Sequence, residues 1–275
     1  MTTAASRVSD GPGDPVLEAA AVLARAQATG RATEPVRALL GDDDVSAAYA
    51  VQRELCRLRT ARGAIVVGRK IGLTSPAVQR QLGVDQPDFG VLFADMDVSG
   101  REEIPLDRLL QPKVEAEIAF VLAEDLVDGE LDAAGVRAAV GYAVAALEIV
   151  DSRIADWDIT ITDTVADNAS SGLFVLADRK LTLDEIEPKE VRMRLYRDGE
   201  LVSEGEGAAC LGDPLAALAW LARTARDFGE PLRAGQIILS GALGPMVPVA
   251  PGNRFRAELS GFGEVSATFS AKGES

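Results

Sequence analysis

Residues 112–122 read Pro112-Lys-Val-Glu-Ala-Glu-Ile-Ala-Phe-Val-Leu122. The run has the texture of a β-strand, in which side chains alternate between faces, so Glu115 and Glu117 point the same way. Beyond them, Ile118, Phe120 and Leu122 on one face and Ala119 and Val121 on the other are all apolar. Two carboxylates on one face of an otherwise buried strand repel each other unless a cation or a proton lies between them. A third acid, Glu148, sits inside the apolar run Val144-Ala-Ala-Leu-Glu-Ile-Val150. Three glutamates in strand contexts suit a hard, oxygen-loving cation such as Mg²⁺ or Mn²⁺, with positions left open for water and substrate. The competing arrangement puts Glu115 and Glu117 on a solvated edge strand and Glu148 beside an arginine. Spacing alone leaves both open.

Outward from this stretch the texture differs on the two sides. The first sixty residues read as helical, with Asp14-Pro15 as N-cap and first helical residue and Gly30 as the stop. A second helix starts at Ser46, carries Ala48, Val51, Leu55 and Leu58 on one face, and ends at Gly63. Residues 64–74 then read as a strand whose glycines mark a close approach to the backbone. A short helix or turn is expected over 76–83, a loop over 84–90, a strand near 91–94, a helix near 131–142 and a strand over 143–150. A polar loop (151–170), a strand (171–177) and a hairpin (191–206) turning at Asp198-Gly199 follow. Asp213-Pro214 caps a helix ending at Gly229, and short strands close the chain with a hairpin through Ser260-Gly-Phe-Gly263. Strands outnumber helices without regular alternation, which predicts an α+β fold with a curved, mostly β core. The expected organisation is a flexible tail (1–15), a helical N-terminal region (16–63) and a catalytic domain (64–275).

Composition narrows the chemistry. Forty-three acidic residues against twenty-eight basic ones give a net charge of −15. Such a surface disfavours nucleic acid and anionic membranes, and an acidic substrate then needs a local cation or lysine where it binds. There is no histidine, so Ser-His-Asp and Cys-His catalysis and histidine-ligated zinc or iron are excluded. Residues 1–15 lack the apolar core of a signal peptide, no apolar run is long enough to span a membrane, and a cytoplasmic protein is expected. The two cysteines, Cys56 and Cys210, read as small buried hydrophobes.

Three further positions carry possible chemistry. Lys70, among the glycines of Val67-Gly-Arg-Lys-Ile-Gly72, suits a substrate carboxylate or a proton transfer if buried, and a surface position otherwise. Asp88, between proline and Phe89-Gly90, reads as a turn residue or as a site acid. Asn168-Ala-Ser-Ser-Gly172 offers hydroxyls and N–H groups to an anion.

At these residues the chain resembles the 2-keto-4-pentenoate (2-hydroxypenta-2,4-dienoate) hydratase family. The similarity is carried by 68–75, 77–79 and 81–90, by Pro112–Leu122, by Ala146–Arg153 with Asp156-Trp157, and by Asp163–Gly172. The closing segments 235–241, 244–248 and 260–263 are similar to the carboxy-terminal half of fumarylacetoacetase-like proteins generally. The resemblance covers about residues 16–270, and it implies a fumarylacetoacetase C-terminal-like fold of the β-roll type. It also implies a hydro-lyase that adds water to 2-hydroxypenta-2,4-dienoate, or a longer analogue, in meta-cleavage catabolism of aromatic compounds. Glu115, Glu117 and Glu148 match the metal carboxylates, which hold Mg²⁺ or Mn²⁺; Lys70 and Asp88 match pocket residues, and Ser171 a serine near the substrate. A homo-oligomer is implied, open to association with a sister decarboxylase or a downstream aldolase.

The nearest rival is 4-oxalocrotonate (2-oxo-3-hexenedioate) decarboxylase, whose substrate has a second carboxylate and should need another cationic contact. The Gln86-Pro-Asp-Phe-Gly90 loop reads more like the hydratases. An acylpyruvate hydrolase fits poorly without a histidine to activate water. A non-catalytic partner subunit of a catabolic complex is disfavoured by the intact carboxylates.

Overall fold

The computed structural model describes residues 13–75, 79, 84 and 86–271. Most of the helix or turn expected over 76–83 and most of the tail lie outside that range. Among the described residues, eleven strands form two sheets. The larger sheet has the order β2 (Asp88–Phe93), β1 (Val66–Gly72), β8 (Ile237–Leu239), β3 (Lys113–Leu122), β4 (Val140–Val150), β5 (Ser171–Leu176), with β9 (Val247–Pro248) also paired to β3. It is mixed: β1 and β8 run parallel and the other pairs antiparallel. The smaller sheet is antiparallel, in the order β11 (Gly263–Thr268), β10 (Arg254–Leu259), β6 (Arg192–Arg197), β7 (Glu200–Glu206).

The helices start where the sequence supplies caps. Asp14 accepts from Val16 N–H ahead of Pro15 in α1 (Pro15–Thr29), and Gly30 closes it at φ 62°. Asp44 caps α3 (Val45–Thr60), which follows the short α2 (Arg37–Leu40). Asp213 caps α6 (Pro214–Asp227) in the same way. At the β6–β7 hairpin Asp198 and Gly199 both have positive φ, 54° and 88°, the geometry that follows the strand twist.

Three expectations need correction. The helix near 131–142 is only α4 (Ala133–Ala139), because Val140-Gly-Tyr142 goes into the extended β4. The strand near 91–94 begins at Asp88, which is a strand residue and not part of a loop. The polar loop 151–170 contains α5 (Ile161–Ala166), every residue of which is buried. Its polar groups are turned inward: Asp163 accepts from Arg37 Nη1 (2.6 Å) and Thr162 donates to Asp42 O (2.7 Å). Cys210 is buried as expected, whereas Cys56 keeps partial exposure. No described helix is long and apolar enough to cross a membrane.

Candidate active site

Strand register builds the site. Glu115 lies directly opposite Glu148 on the β3–β4 pair, and Glu117 follows two residues on, so the three share a face. β3 lies between β8 and β4, which rules out the solvated edge. On β1 and β2, Lys70 faces Gly90 and Gly72 faces Asp88. Lys70 Nζ nevertheless stands 3.1 Å from Glu148 Oε1. β1 and β4 are three strand spacings apart, roughly 14 Å in a flat sheet, so the sheet must curl for these side chains to meet. Glu148 thus pairs with a lysine rather than the arginine considered from sequence.

The glycines leave room for this meeting. A β-carbon on Gly72 would lie 2.2 Å from Asp88 Oδ1, and one on Gly68 would lie 1.8 Å from Ile237 O. Close approach to the backbone, expected from sequence, is therefore of two kinds: a neighbouring strand at Gly68 and a site carboxylate at Gly72.

One oxygen from each of Glu115, Glu117 and Glu148 lies within 4.8 Å of the others. Glu117 and Glu148 are buried and Glu115 keeps partial exposure. Glu117 Oε2 accepts from Gly241 N–H at 2.9 Å. Glu117 Oε1, both oxygens of Glu148 and Asp88 Oδ1 have no hydrogen-bond partner; the Lys70–Glu148 approach is an ion pair without hydrogen-bond geometry. Burial and then Glu148 push the Glu115 carboxyl up to about 7, and burial with both neighbouring acids puts Glu117 well above the usual range. Burial also raises Glu148 and Asp88, with Lys70 pulling each back. Lys70 is under opposing pulls: burial lowers it, but Glu148 and the other three acids hold it above the ordinary lysine range. Buried acceptors without donors are costly. Three hard carboxylates, two of them with orphaned oxygens, can hold a divalent cation, which would supply the missing partner.

Several contacts escaped the sequence reading. Thr164 donates to Asp88 Oδ2 (3.3 Å), and Lys70 Nζ donates to Ala169 O (3.1 Å). Gln52 of α3 donates to Phe89 O and Val165 O, tying the β2 backbone beside Asp88 to the α5 backbone beside Thr164. Ser171 lies beside this group, but its hydroxyl is spent on Asn168 O at 2.6 Å. Behind the 168–171 segment, Arg153 pairs with Asp167, and a cleft of about 660 Å³ opens between that pair and α1 and α3. Burial pushes Asp167 up to about 6 against the pull of Arg153. The signal for these residues was present only as a polar run, without its partners.

The model of the fumarylacetoacetate (FAA) hydrolase C-terminal family matches residues 69–270, a span that includes every residue of the acid cluster. The chain belongs to the fumarylacetoacetate hydrolase family. Within it, the chain is 55% identical over 250 residues to a 2-keto-4-pentenoate hydratase of Burkholderia vietnamiensis, covering 91% of this chain and 95% of the relative. It is 43% identical to a 2-hydroxyhexa-2,4-dienoate hydratase of Comamonas testosteroni, over 82% of this chain and 86% of that one. Among solved members, the 4-oxalocrotonate decarboxylase of Pseudomonas putida G7, complexed with magnesium and adipate, superposes with a TM-score of 0.89 at 35% identity. That match covers 92% of this chain and 97% of the decarboxylase. The fumarylacetoacetate hydrolase fold thus frames the acid cluster at the concave side of a mixed sheet.

Proposed function

We propose that the protein is a Mg²⁺- or Mn²⁺-dependent hydratase of 2-hydroxypenta-2,4-dienoate or a longer-chain analogue. The observation that carries this reading is the acid triad set against a buried lysine and aspartate, in a chain more than half identical to a hydratase over nearly its whole length. Glu115, Glu117 and Glu148 would hold the cation. When bound, it neutralises the substrate carboxylate and supplies Lewis acidity at the adjacent enol oxygen.

Hydration needs protons moved, and in a chain without histidine the groups in place are Lys70 and Asp88. Loss of the proton at O2 and its gain at C5 converts the dienol to a 2-oxo-3-enoate. Water then adds its oxygen at C4 and a proton goes to C3, giving a 4-hydroxy-2-oxoacid. Lys70, charged and facing four acids, holds the anionic end and donates; Asp88, with its free Oδ1, accepts. Ser171 supports the wall of the site through Asn168 O and keeps its acceptor lone pairs for a group beside the substrate.

The same reading treats 16–63 as a helical region bracing a catalytic domain of 64–275, and the protein as a cytoplasmic homo-oligomer able to associate with a sister decarboxylase or a downstream aldolase. The decarboxylase alternative needs a second cation for the extra carboxylate. Among the described residues, the other cation near Glu115 is Lys113, whose amine sits 4.0 Å over the Trp157 ring.

The test offers 2-hydroxypenta-2,4-dienoate and 4-oxalocrotonate separately, with Mg²⁺ or Mn²⁺, and follows product mass. A product heavier by one water, lost on chelation and in Glu115→Ala, supports hydration. Release of CO₂ from 4-oxalocrotonate with the dienoate untouched overturns it.

A further inference from the structure

Behind Lys70 the chain places three consecutive non-glycine residues in the left-handed region: Asn168, Ala169 and Ser170 have φ of 56°, 51° and 51°. L-residues visit this region singly, asparagine most readily, so three in a row must be held from outside. Several of the holding contacts converge on Arg153, beside the Asp151 N–H that donates to Ser170 O at 2.8 Å. Its Nη2 donates to Asp167 O (2.5 Å), immediately before the turn, and its Nη1 to Ser171 O (2.7 Å), immediately after it. Its Nε donates to Asp167 Oδ1 (2.5 Å) and its backbone N–H to Oδ2 (3.0 Å). The turn's outer surface meets the site. Ala169 O, its middle carbonyl, accepts from Lys70 Nζ, and Ser170 Oγ lies 3.4 Å from the Thr164 hydroxyl that donates to Asp88. The Asn168 side chain pairs with both backbone groups of Val91 on β2.

We infer that Arg153 is a positioning residue: by bracketing the strained turn from behind, it fixes Ala169 O and, through it, the Lys70 ammonium in front of the acid cluster. The inference rests on the role proposed for Lys70. It explains why an arginine stands there, since only a guanidinium fork reaches both flanking carbonyls while pairing with Asp167. A lysine would keep the charge opposite Asp167 and lose the bracket.

Arg153→Lys therefore separates the two roles. The expected result is a fall in kcat/KM of about 10- to 100-fold, shared between a lower kcat and a higher KM, with the Mn²⁺ dissociation constant within about 3-fold of the parent. Lys70 should also be acylated faster by an amine-selective reagent, measured by peptide mass spectrometry against Lys113 in the same sample. Adding Ala169→Gly to Arg153→Lys should recover several-fold of the lost turnover, because glycine adopts positive φ unaided. If Arg153→Lys fails to fold, Asp167→Asn keeps the bracket's two carbonyl bonds, and kcat should then fall less than about 10-fold with Lys70 still protected. The inference is overturned if Arg153→Lys turns over within 2-fold of the parent, if Mn²⁺ affinity falls in parallel with kcat, or if Lys70 stays as protected as before. Should the parent itself not hydrate the dienoate, the functional reading fails, and the labelling comparison still decides whether Arg153 positions Lys70.

Discussion

Asp167 and Glu148 stand on opposite sides of the Asn168–Ser170 turn, both buried and both next to a cation. Burial raises the carboxyl in each place, so protonation tendency does not tell them apart. Hydrogen bonding does. Both oxygens of Asp167 accept bonds, from Arg153 and Ser152. Neither oxygen of Glu148 has one, and Glu117 Oε1 beside it is also unpaired. A completed buried pair reads as architecture, and an incomplete one reads as a place for something the chain does not itself supply. This contrast, more than the count of acids, separates the metal-ligand candidates from the support behind them.

The contrast breaks most visibly on metal binding. Glu117→Gln should weaken Mg²⁺ or Mn²⁺ by at least about 100-fold, since even groups one shell removed from a metal cost 10–100-fold. Asp167→Asn should leave that affinity nearly unchanged. Titration calorimetry with Mn²⁺ decides both. On stability the order reverses. Asp167→Ala strands the Arg153 guanidinium and should cost roughly 3–5 kcal/mol, visible as a large fall in the denaturant midpoint. Glu117→Gln, in the metal-free protein at a pH where Glu117 is ionised, removes a repelling charge and gives Glu148 an amide donor. It should stabilise by roughly 1–3 kcal/mol, and a loss of stability there would show that the triad is already satisfied without a cation.

The acid triad was legible in the sequence because its signal is local: two glutamates two apart in an apolar strand, and a third inside another apolar run. Asp88 was only half legible. Its Pro-Asp-Phe-Gly setting resembles a turn, and what makes it a strand residue is the space over Gly72 on the neighbouring strand. Helix α5 and the Arg153 bracket were hidden for a related reason. The polar residues over 151–170 looked solvated because some of their partners, such as Arg37 and Asp42, lie more than a hundred residues away. A left-handed turn of ordinary residues likewise has no local signature, since much of what holds this one, Arg153 and the Val91 backbone, lies well outside it in the sequence. The fold class followed from strand texture and caps, which are local, and the register that curls the sheet round the site did not.

The smallest effect is a pH dependence that the two regions should share in sign but not in extent. Folded Asp167 sits at about 6 and folded Glu115 at about 7, each above its value in an unfolded chain, roughly 3.9 and 4.3. Over those windows the folded protein binds more protons than the unfolded one, so stability falls as pH rises and levels off above the folded value. The metal-free protein should therefore lose stability from about pH 4 up to about pH 7 through Asp167 and Glu115, with Glu117, also raised, adding to the loss in the same direction. A bound divalent cation favours the ionised glutamates and removes the upper part of that slope, leaving the share of Asp167 and of the other buried aspartates, Asp88 and Asp151, that burial raises. Urea midpoints measured from pH 4 to 8, with chelator and with excess Mg²⁺, separate the two. An unchanged slope between pH 6 and 7 on adding Mg²⁺ would mean that the cation does not reach Glu115, and the contrast between the clusters would then rest on Glu117 and Glu148 alone.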